Sequence, residues 1–139
     1  MSWKIIIAFV CHFLATLPIA FLGITYIIWP TFMPYHAVAV GMPWSAVPPG
    51  FQVLTLALMR AVGFAALAVF VLELFLLLFP FRHGAIWAKL AIPAGGLIIS
   101  FGALYAMVYV SLNTPATPPW MAPAASALLF VVGLIFSFI

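Results

Sequence analysis

The 139-residue chain has four Lys or Arg residues and one acidic residue, and 69% of its residues are hydrophobic whereas 4% are charged. A soluble domain carries roughly a quarter of its residues charged, so most of this surface cannot face water, and a scattered net charge of +3 is no footprint for a nucleic acid. The single cysteine, Cys11, excludes an internal disulfide.

Long apolar segments punctuated by proline and glycine make up most of the chain. Each is close to the length that a hydrocarbon core of about 30 Å requires of a helix. Lipid cannot satisfy an open backbone and four segments cannot close a barrel, so all are predicted to be helical. We therefore predict an all-α integral membrane protein, a single domain over 1–139 that forms an antiparallel four-transmembrane-helix bundle. The predicted helices are 3–28, 61–81, 85–111 and 120–139.

The segment 29–50 is predicted to be a long apolar outer loop between the first two helices. It is uncharged and rich in proline, and it is long beside the usual connection of about 4–6 residues. We interpret it as a cap that lies on the outer mouth of the bundle or in the lipid headgroup layer. A docking surface or a lid over a pocket is the alternative.

Basic residues predict the orientation. Lys4 precedes the first helix, Arg82 and Lys89 flank the turn between the second and third, and the loops 29–50 and 112–119 carry no Lys or Arg. By the positive-inside rule the N- and C-termini lie on the cytoplasmic side. The expected location is the inner (cytoplasmic) membrane of the cell, as a multi-pass protein.

Small residues are expected where helices meet, because they let backbones approach closely in lipid. One or two glycines fall on the small or polar stripe of each predicted helix. The same stripes could instead contact another protein. The predicted packing glycines are Gly23, Gly63, Gly95, Gly102 and Gly133.

Glu73, the only acid, is predicted to form a buried polar pair with His12. Glu73 lies about 13 Å from the level of Arg82, and His12 lies about 12 Å beyond Lys4, at the helical rise per residue. An ionisable group at this depth is a functional candidate. A buried hydrogen bond that fixes helix register is one interpretation; proton transfer, ion coupling or binding of a polar headgroup is the other.

A second group of polar and aromatic side chains is predicted in the outer half of the bundle. Arg60 stands near the outer boundary, where no other basic residue lies. With three tyrosines it could line an outer-leaflet pocket below the cap, although snorkelling of the arginine and aromatic packing would give the same pattern. The predicted pocket residues are Arg60, Tyr26, Tyr105 and Tyr109.

The histidines argue against a metal or haem site. Only His12 lies within a predicted helix, since His36 is in the outer loop and His83 in the inner turn. A bis-histidine haem needs two histidines at matching depth, and one His with one Glu is an incomplete metal site. No metal ligand and no catalytic residue is predicted, and no cofactor can be named from the sequence.

The spacing of the four helices, the PYH run at 34–36 and the LMRAVG run at 58–63 resemble the DoxX-like group of small four-helix bacterial membrane proteins. The namesake of that group is similar in size to a small membrane subunit of a quinone-linked oxidoreductase. The resemblance implies an accessory role beside a larger partner, and it assigns no catalytic residue.

We therefore expect a non-enzymatic accessory or scaffold subunit of a larger membrane complex. The class of complex expected is an energy-converting one, respiratory or photosynthetic. The expected partners of the subunit are membrane lipids and other membrane protein subunits, and nucleic acid is not among them. The alternative is a small carrier, or a lipid- or quinone-binding enzyme, that uses Glu73 and His12. A bundle filled with side chains would favour the first function, and a cavity reaching Glu73 the second.

Overall fold

A computed structural model describes residues 2–139, and it is all-helical, with 83% of the chain in helices and no strand in this range. Four of the helices within these residues are long and apolar enough to cross a membrane. The short helix α2 and a 3₁₀ turn at Trp44–Ala46 lie between the first two of them. The helices are α1 (Trp3–Ile28), α2 (Pro34–Val40), α3 (Pro49–Leu76), α4 (Ile86–Asn113) and α5 (Met121–Phe138).

The outer surface of the helices is suited to hydrocarbon. Large apolar side chains project from it, among them Leu112, Ile98 and Phe21, which are 80%, 76% and 74% exposed. Exposed apolar surface on this scale is unfavourable in water and ordinary in lipid. These observations describe a multi-pass membrane protein, as the composition predicted.

The second predicted helix, 61–81, starts too late, because α3 begins at Pro49. Pro49 fits the first turn, where its missing N–H is not needed, and no residue between 51 and 60 breaks a helix. With its continuation to Phe81 this helix has 33 residues, which is about 50 Å at the helical rise. The predicted start at residue 61 marks the expected boundary of the hydrocarbon, and the helix extends beyond this boundary to Pro49. The other three predictions agree with the structure to within two residues at either end.

The predicted loop 29–50 is a folded cap rather than an irregular segment. It contains α2 and the 3₁₀ turn, and its Phe32 and Val47 form a buried cluster with Met59 of α3. The Gln52 side-chain amide, also on α3, donates to the Trp44 carbonyl at 2.9 Å. The first turns of α3 thus extend beyond the expected hydrocarbon boundary because the cap packs against them.

The helix α3 continues into a wide π-type turn at Leu77–Phe81. Pro80 causes this turn, since proline has no N–H to donate and its ring collides with the carbonyl four residues earlier. The turn leaves the side chains of Leu77 and Phe81 fully buried. The turn therefore positions the Phe81 ring at the inner end of the bundle.

The backbones of α1 and α3 approach each other closely at two glycines. A Cβ atom added at Gly63 would lie 2.8 Å from the Gly23 carbonyl oxygen, and one at Gly23 would lie 3.0 Å from the Gly63 carbonyl oxygen. Such distances leave no room for a side chain at either position. The helix α1 packs extensively against both α3 and α5, and α5 packs against α4.

In contrast, α3 and α4 touch over a short stretch only. A Cβ atom at Gly95 would lie 3.3 Å from Glu73 Oε1, whereas one at Gly102, two turns further and on the same face of α4, would meet no described atom within 4 Å. The two helices therefore diverge from Gly95 toward Gly102. We call the resulting gap, bordered by the exposed Gly102 and Ala106, the α3–α4 opening.

The prediction that Gly102 packs against another helix of this chain is consequently wrong. The buried face of α4 is turned away from Gly102 and contains Ile92, Gly96 and Ser100. Gly96 is packed so tightly against the Phe130 ring of α5 that a Cβ atom there would overlap the ring. The contact that determines the rotation of α4 is thus with α5.

Candidate ligand cavity and buried polar groups

A cavity of about 190 Å³ lies between α1, α4 and α5, beneath the cap. Met33 and Tyr35 of the cap segment line its outer end. Most of its walls are apolar, and Ile19, Leu22, Ile99, Ala103, Met107 and Ala122 are among the lining residues. Phe21 also lines it and is 74% exposed, so the cavity reaches the lipid-facing surface of the bundle.

Two serine hydroxyls lie at this cavity without a hydrogen-bond partner. Ser100 and Ser126 line it, are 3% and 1% exposed, and have no partner among the residues described. A hydroxyl inside a helix ordinarily bonds to a carbonyl of the preceding turn, as the Thr16 hydroxyl does at 2.7 Å and the Ser137 hydroxyl does to the Gly133 carbonyl at 2.7 Å. The Ser100 and Ser126 hydroxyls are therefore donors that lack an acceptor among the described residues.

The cap end of the cavity carries a hydrogen-bonded pair of tyrosines. Tyr26 of α1 and Tyr35 of α2 both line the cavity, and their hydroxyls are 2.6 Å apart. Burial, with a smaller effect of the hydrogen bond to Tyr26, raises the pKa of Tyr35 above its ordinary value. The Tyr35 phenol therefore stays neutral at physiological pH, and its hydrogen bond with Tyr26 holds the cap to α1.

The four residues of the predicted outer-leaflet pocket are not brought together. Tyr26 lines the cavity, whereas Arg60 is exposed on α3. Tyr105 and Tyr109 are 73% and 58% exposed, and their rings stack with centroids 6.2 Å apart on the exposed side of α4. That side faces away from the cavity, because the contact with α5 fixes the rotation of α4. Sequence reasoning missed Ser100 and Ser126, and their position in apolar helices was the available signal.

His12 and Glu73 are buried as predicted, at 0% and 3% exposure, but the expected hydrogen bond between them is wrong. All four of their side-chain N and O atoms lack a hydrogen-bond partner within the described chain. His12 is packed as an aromatic ring, with its centroid 5.7 Å from that of Phe81 and 5.9 Å from that of Phe130. Gly133 leaves room for this ring, since a Cβ atom there would lie 2.8 Å from His12 Nδ1.

Glu73 lies at the narrow end of the α3–α4 opening, next to Gly95. It is not among the residues that line the cavity. A buried carboxyl group without partners is unfavourable in lipid and is a functional candidate for that reason. Within residues 2–139 no cluster of three His, Cys, Asp or Glu residues could hold a metal ion.

We predict that the cap loosens in mild acid because of His36. Its Nδ1 accepts the Met33 backbone N–H at 3.2 Å, and its ring packs against Tyr26, Phe32 and Tyr35. Burial lowers the pKa of His36 below its ordinary value of 6.5. The folded cap therefore favours the neutral ring, so its stability is complete above pH 6.5 and decreases as the pH falls toward the lowered pKa.

The measurement is the labelling rate of Ala37→Cys, in a Cys11→Ala background, as a function of pH. Because protonation of the thiol slows labelling in every protein, we expect the ratio of the labelling rate to that of the His36→Gln protein at the same pH to rise below pH 6.5, the ordinary pKa. His36→Gln serves as the control, because an amide does not titrate and can still accept the Met33 N–H. Identical pH profiles in the two proteins would contradict the role of His36.

No family model, curated protein or solved structure matches this chain. The resemblance to the DoxX-like group therefore stays a prediction from the sequence.

Proposed function

We propose that this protein binds an amphiphilic molecule of the membrane, a lipid or a quinone-like compound, in the cavity between α1, α4 and α5. The observation that carries the proposal is an apolar cavity with two buried hydroxyls that lack partners among the described residues. Ligand pockets measure about 300–1,000 Å³, and this cavity of about 190 Å³ is smaller. It suits one ring or part of a chain, with the remainder of the ligand passing Phe21 into lipid.

Filling the cavity tests the proposal. Ala103 lines the cavity, so Ala103→Phe should displace a ligand, whereas Ala94→Phe, on the exposed side of the same helix, should not. The protein is purified from membranes in mild detergent, and organic extracts are analysed by mass spectrometry. We expect an amphiphile in near-stoichiometric amount from the natural protein and Ala94→Phe only. An extract free of such a molecule, or equal amounts from both variants, would contradict the proposal.

A second candidate function is the accessory or scaffold role, and the α3–α4 opening favours it. The opening exposes Gly102 and Ala106 and narrows toward Glu73, whose carboxyl oxygens have no partner within the described chain. Small residues permit close approach of another transmembrane helix, and a polar group on that helix could bond to a carboxyl. We propose a single partner helix that carries a hydrogen-bond donor at the depth of Glu73. The DoxX-like resemblance implies the same accessory role.

We also propose that the bundle is antiparallel and lies in the inner membrane with both termini in the cytoplasm. Lys4 and Lys89 support this orientation, since their ammonium groups donate to the carbonyls of Ile139 and Ser137, both near the end of α5. Lys4 and Lys89 thus lie at the same end of the bundle, which the positive-inside rule assigns to the cytoplasm.

A topology prediction follows from this orientation. In a Cys11→Ala background, a membrane-impermeant thiol reagent applied from outside should label Val40→Cys in the cap, which is 54% exposed. It should not label His83→Cys or Ser2→Cys, which are equally open to solvent but lie at the opposite end. Labelling after permeabilisation is the control. Reaction at position 83 in intact cells would reverse the proposed orientation.

A further inference from the structure

The contacts between α4 and α5 place Ser100 and Ser126 at the same level. Lys89 bonds to the Ser137 carbonyl at 3.0 Å, and Gly96 packs against the Phe130 ring. From the first contact to the second, the residue number on α4 rises from 89 to 96, and that on α5 falls from 137 to 130. The two helices therefore advance by the same number of residues in opposite directions. Continued by four residues along each helix, this register brings Ser100 opposite Ser126, and both line the cavity.

The two hydroxyls lie below the headgroup region. Ser126 follows Trp120 by six residues, which is about 9 Å along a helix. Trp120 is 53% exposed at the outer end of α5, where tryptophan ordinarily marks the membrane interface. The donors are therefore within the hydrocarbon, deeper than the glycerol esters of a lipid in its usual place. A ligand that reaches them must carry its polar atom into the apolar interior.

We propose that Ser100 and Ser126 together bind one carbonyl oxygen of an apolar molecule that enters the cavity carbonyl-first. A carbonyl oxygen has two lone pairs and accepts two hydrogen bonds, which matches two O–H donors from facing helices. It brings no proton of its own, whereas an alcohol would bring a third. This inference rests on the proposed ligand-binding function and specifies the chemical class of the ligand. A ring ketone such as a quinone and the ester of a displaced lipid share this chemistry.

The experiment measures binding of radiolabelled decyl-para-benzoquinone to the protein in nanodiscs of dioleoylphosphatidylcholine. Removing one neutral hydrogen bond is expected to weaken binding roughly 3- to 10-fold, so Ser100→Ala and Ser126→Ala should each show that loss. Ser137→Ala is the matched control, because its hydroxyl bonds to its own helix. Decylbenzene has the same body without carbonyls, and its affinity should not change in any of the three variants. Dioleoylglycerol as a competitor distinguishes an ester from a ring ketone.

Infrared spectra of the quinone with an isotope-labelled carbonyl give a second readout. A carbonyl stretch shifted to lower frequency on binding, and restored in the two alanine variants, would support the inference. If the quinone binds but neither variant changes its affinity or its carbonyl stretch, the inference fails and the ligand-binding function stands. If neither quinone nor decylbenzene binds to the natural protein, and Ala103→Phe changes nothing, both fail.

Discussion

Gly63→Leu is expected to prevent α1 and α3 from packing, whereas Gly102→Leu leaves the protein folded. At Gly63 even a methyl group would lie 2.8 Å from the Gly23 carbonyl oxygen and 2.9 Å from the Ile27 side chain. Backbone atoms cannot move aside as a flexible side chain does, so the helices must separate. We expect a loss on the order of 3 kcal/mol or more in the free energy of unfolding.

The measurement is the recovery of monodisperse protein in mild detergent, followed by unfolding in denaturant. Gly102→Leu is the matched control, because it places the same side chain on a glycine with no described atom within 4 Å of its Cβ position. Phe13→Leu, at the surface of α1, tests a lipid-facing exchange. Comparable recovery of Gly63→Leu and Gly102→Leu would show that the Gly23–Gly63 contact does not hold the helices together.

The difference between these two glycines shows what the sequence could predict. On α1 the predicted interior residue His12 and the predicted packing residue Gly23 lie on one stripe of small and polar residues, and the structure buries that stripe from Ala8 to Gly23. That face contacts two helices at once, so a single stripe had to serve both. The buried face of α1 was predictable because only one stripe of this helix is suited to pack against both neighbouring helices.

The rotation of α4 was not predictable from its own pattern. Tyr105, Tyr109 and Gly102 form a stripe that resembles a packing face, but lipid is as apolar as a helix interface. Tyrosine side chains are amphipathic, so they are stable both in a helix interface and on a surface that faces lipid. The decisive contact, Gly96 against Phe130 of α5, depends on a residue far away in the chain. A stripe on one helix could not specify it.

The polar groups of the interior were predictable in position and not in bonding. Depth along each helix placed His12 and Glu73 inside the bundle, where the structure has them. The His12 ring packs against Phe81 and Phe130, and Glu73 lies next to Gly95, so the hydrogen bond expected from depth alone was wrong. Likewise, the sequence shows that Ser100 lies in an apolar helix, and it cannot show whether its hydroxyl bonds to the preceding turn.

Glu73→Leu is expected to stabilise the isolated protein and to abolish its association with a partner helix. The substitution removes two buried oxygens that have no hydrogen-bond partner in the described chain, and each such group costs about 1–3 kcal/mol. The free energy of unfolding should therefore rise by about 2–6 kcal/mol for the two oxygens together. A partner helix that donates to the carboxyl group would lose its polar contact at the same time. Glu73→Gln keeps the shape and an acceptor oxygen, so it should change neither property much.

Two measurements on the same variants separate stability from assembly: unfolding of the purified protein, and recovery of co-purifying chains from native membrane in mild detergent. Phe75→Leu is the control, since Phe75 is on α3, two residues away, and 58% exposed. A Leu variant that is less stable than the natural protein would mean that Glu73 is satisfied within its own fold. A more stable Leu variant that still recovers its partner would show that the α3–α4 opening is not the docking site. Loss of the partner together with a gain in stability is the result that the accessory role requires, because a carboxyl group unfavourable to the isolated fold must then be satisfied in the complex.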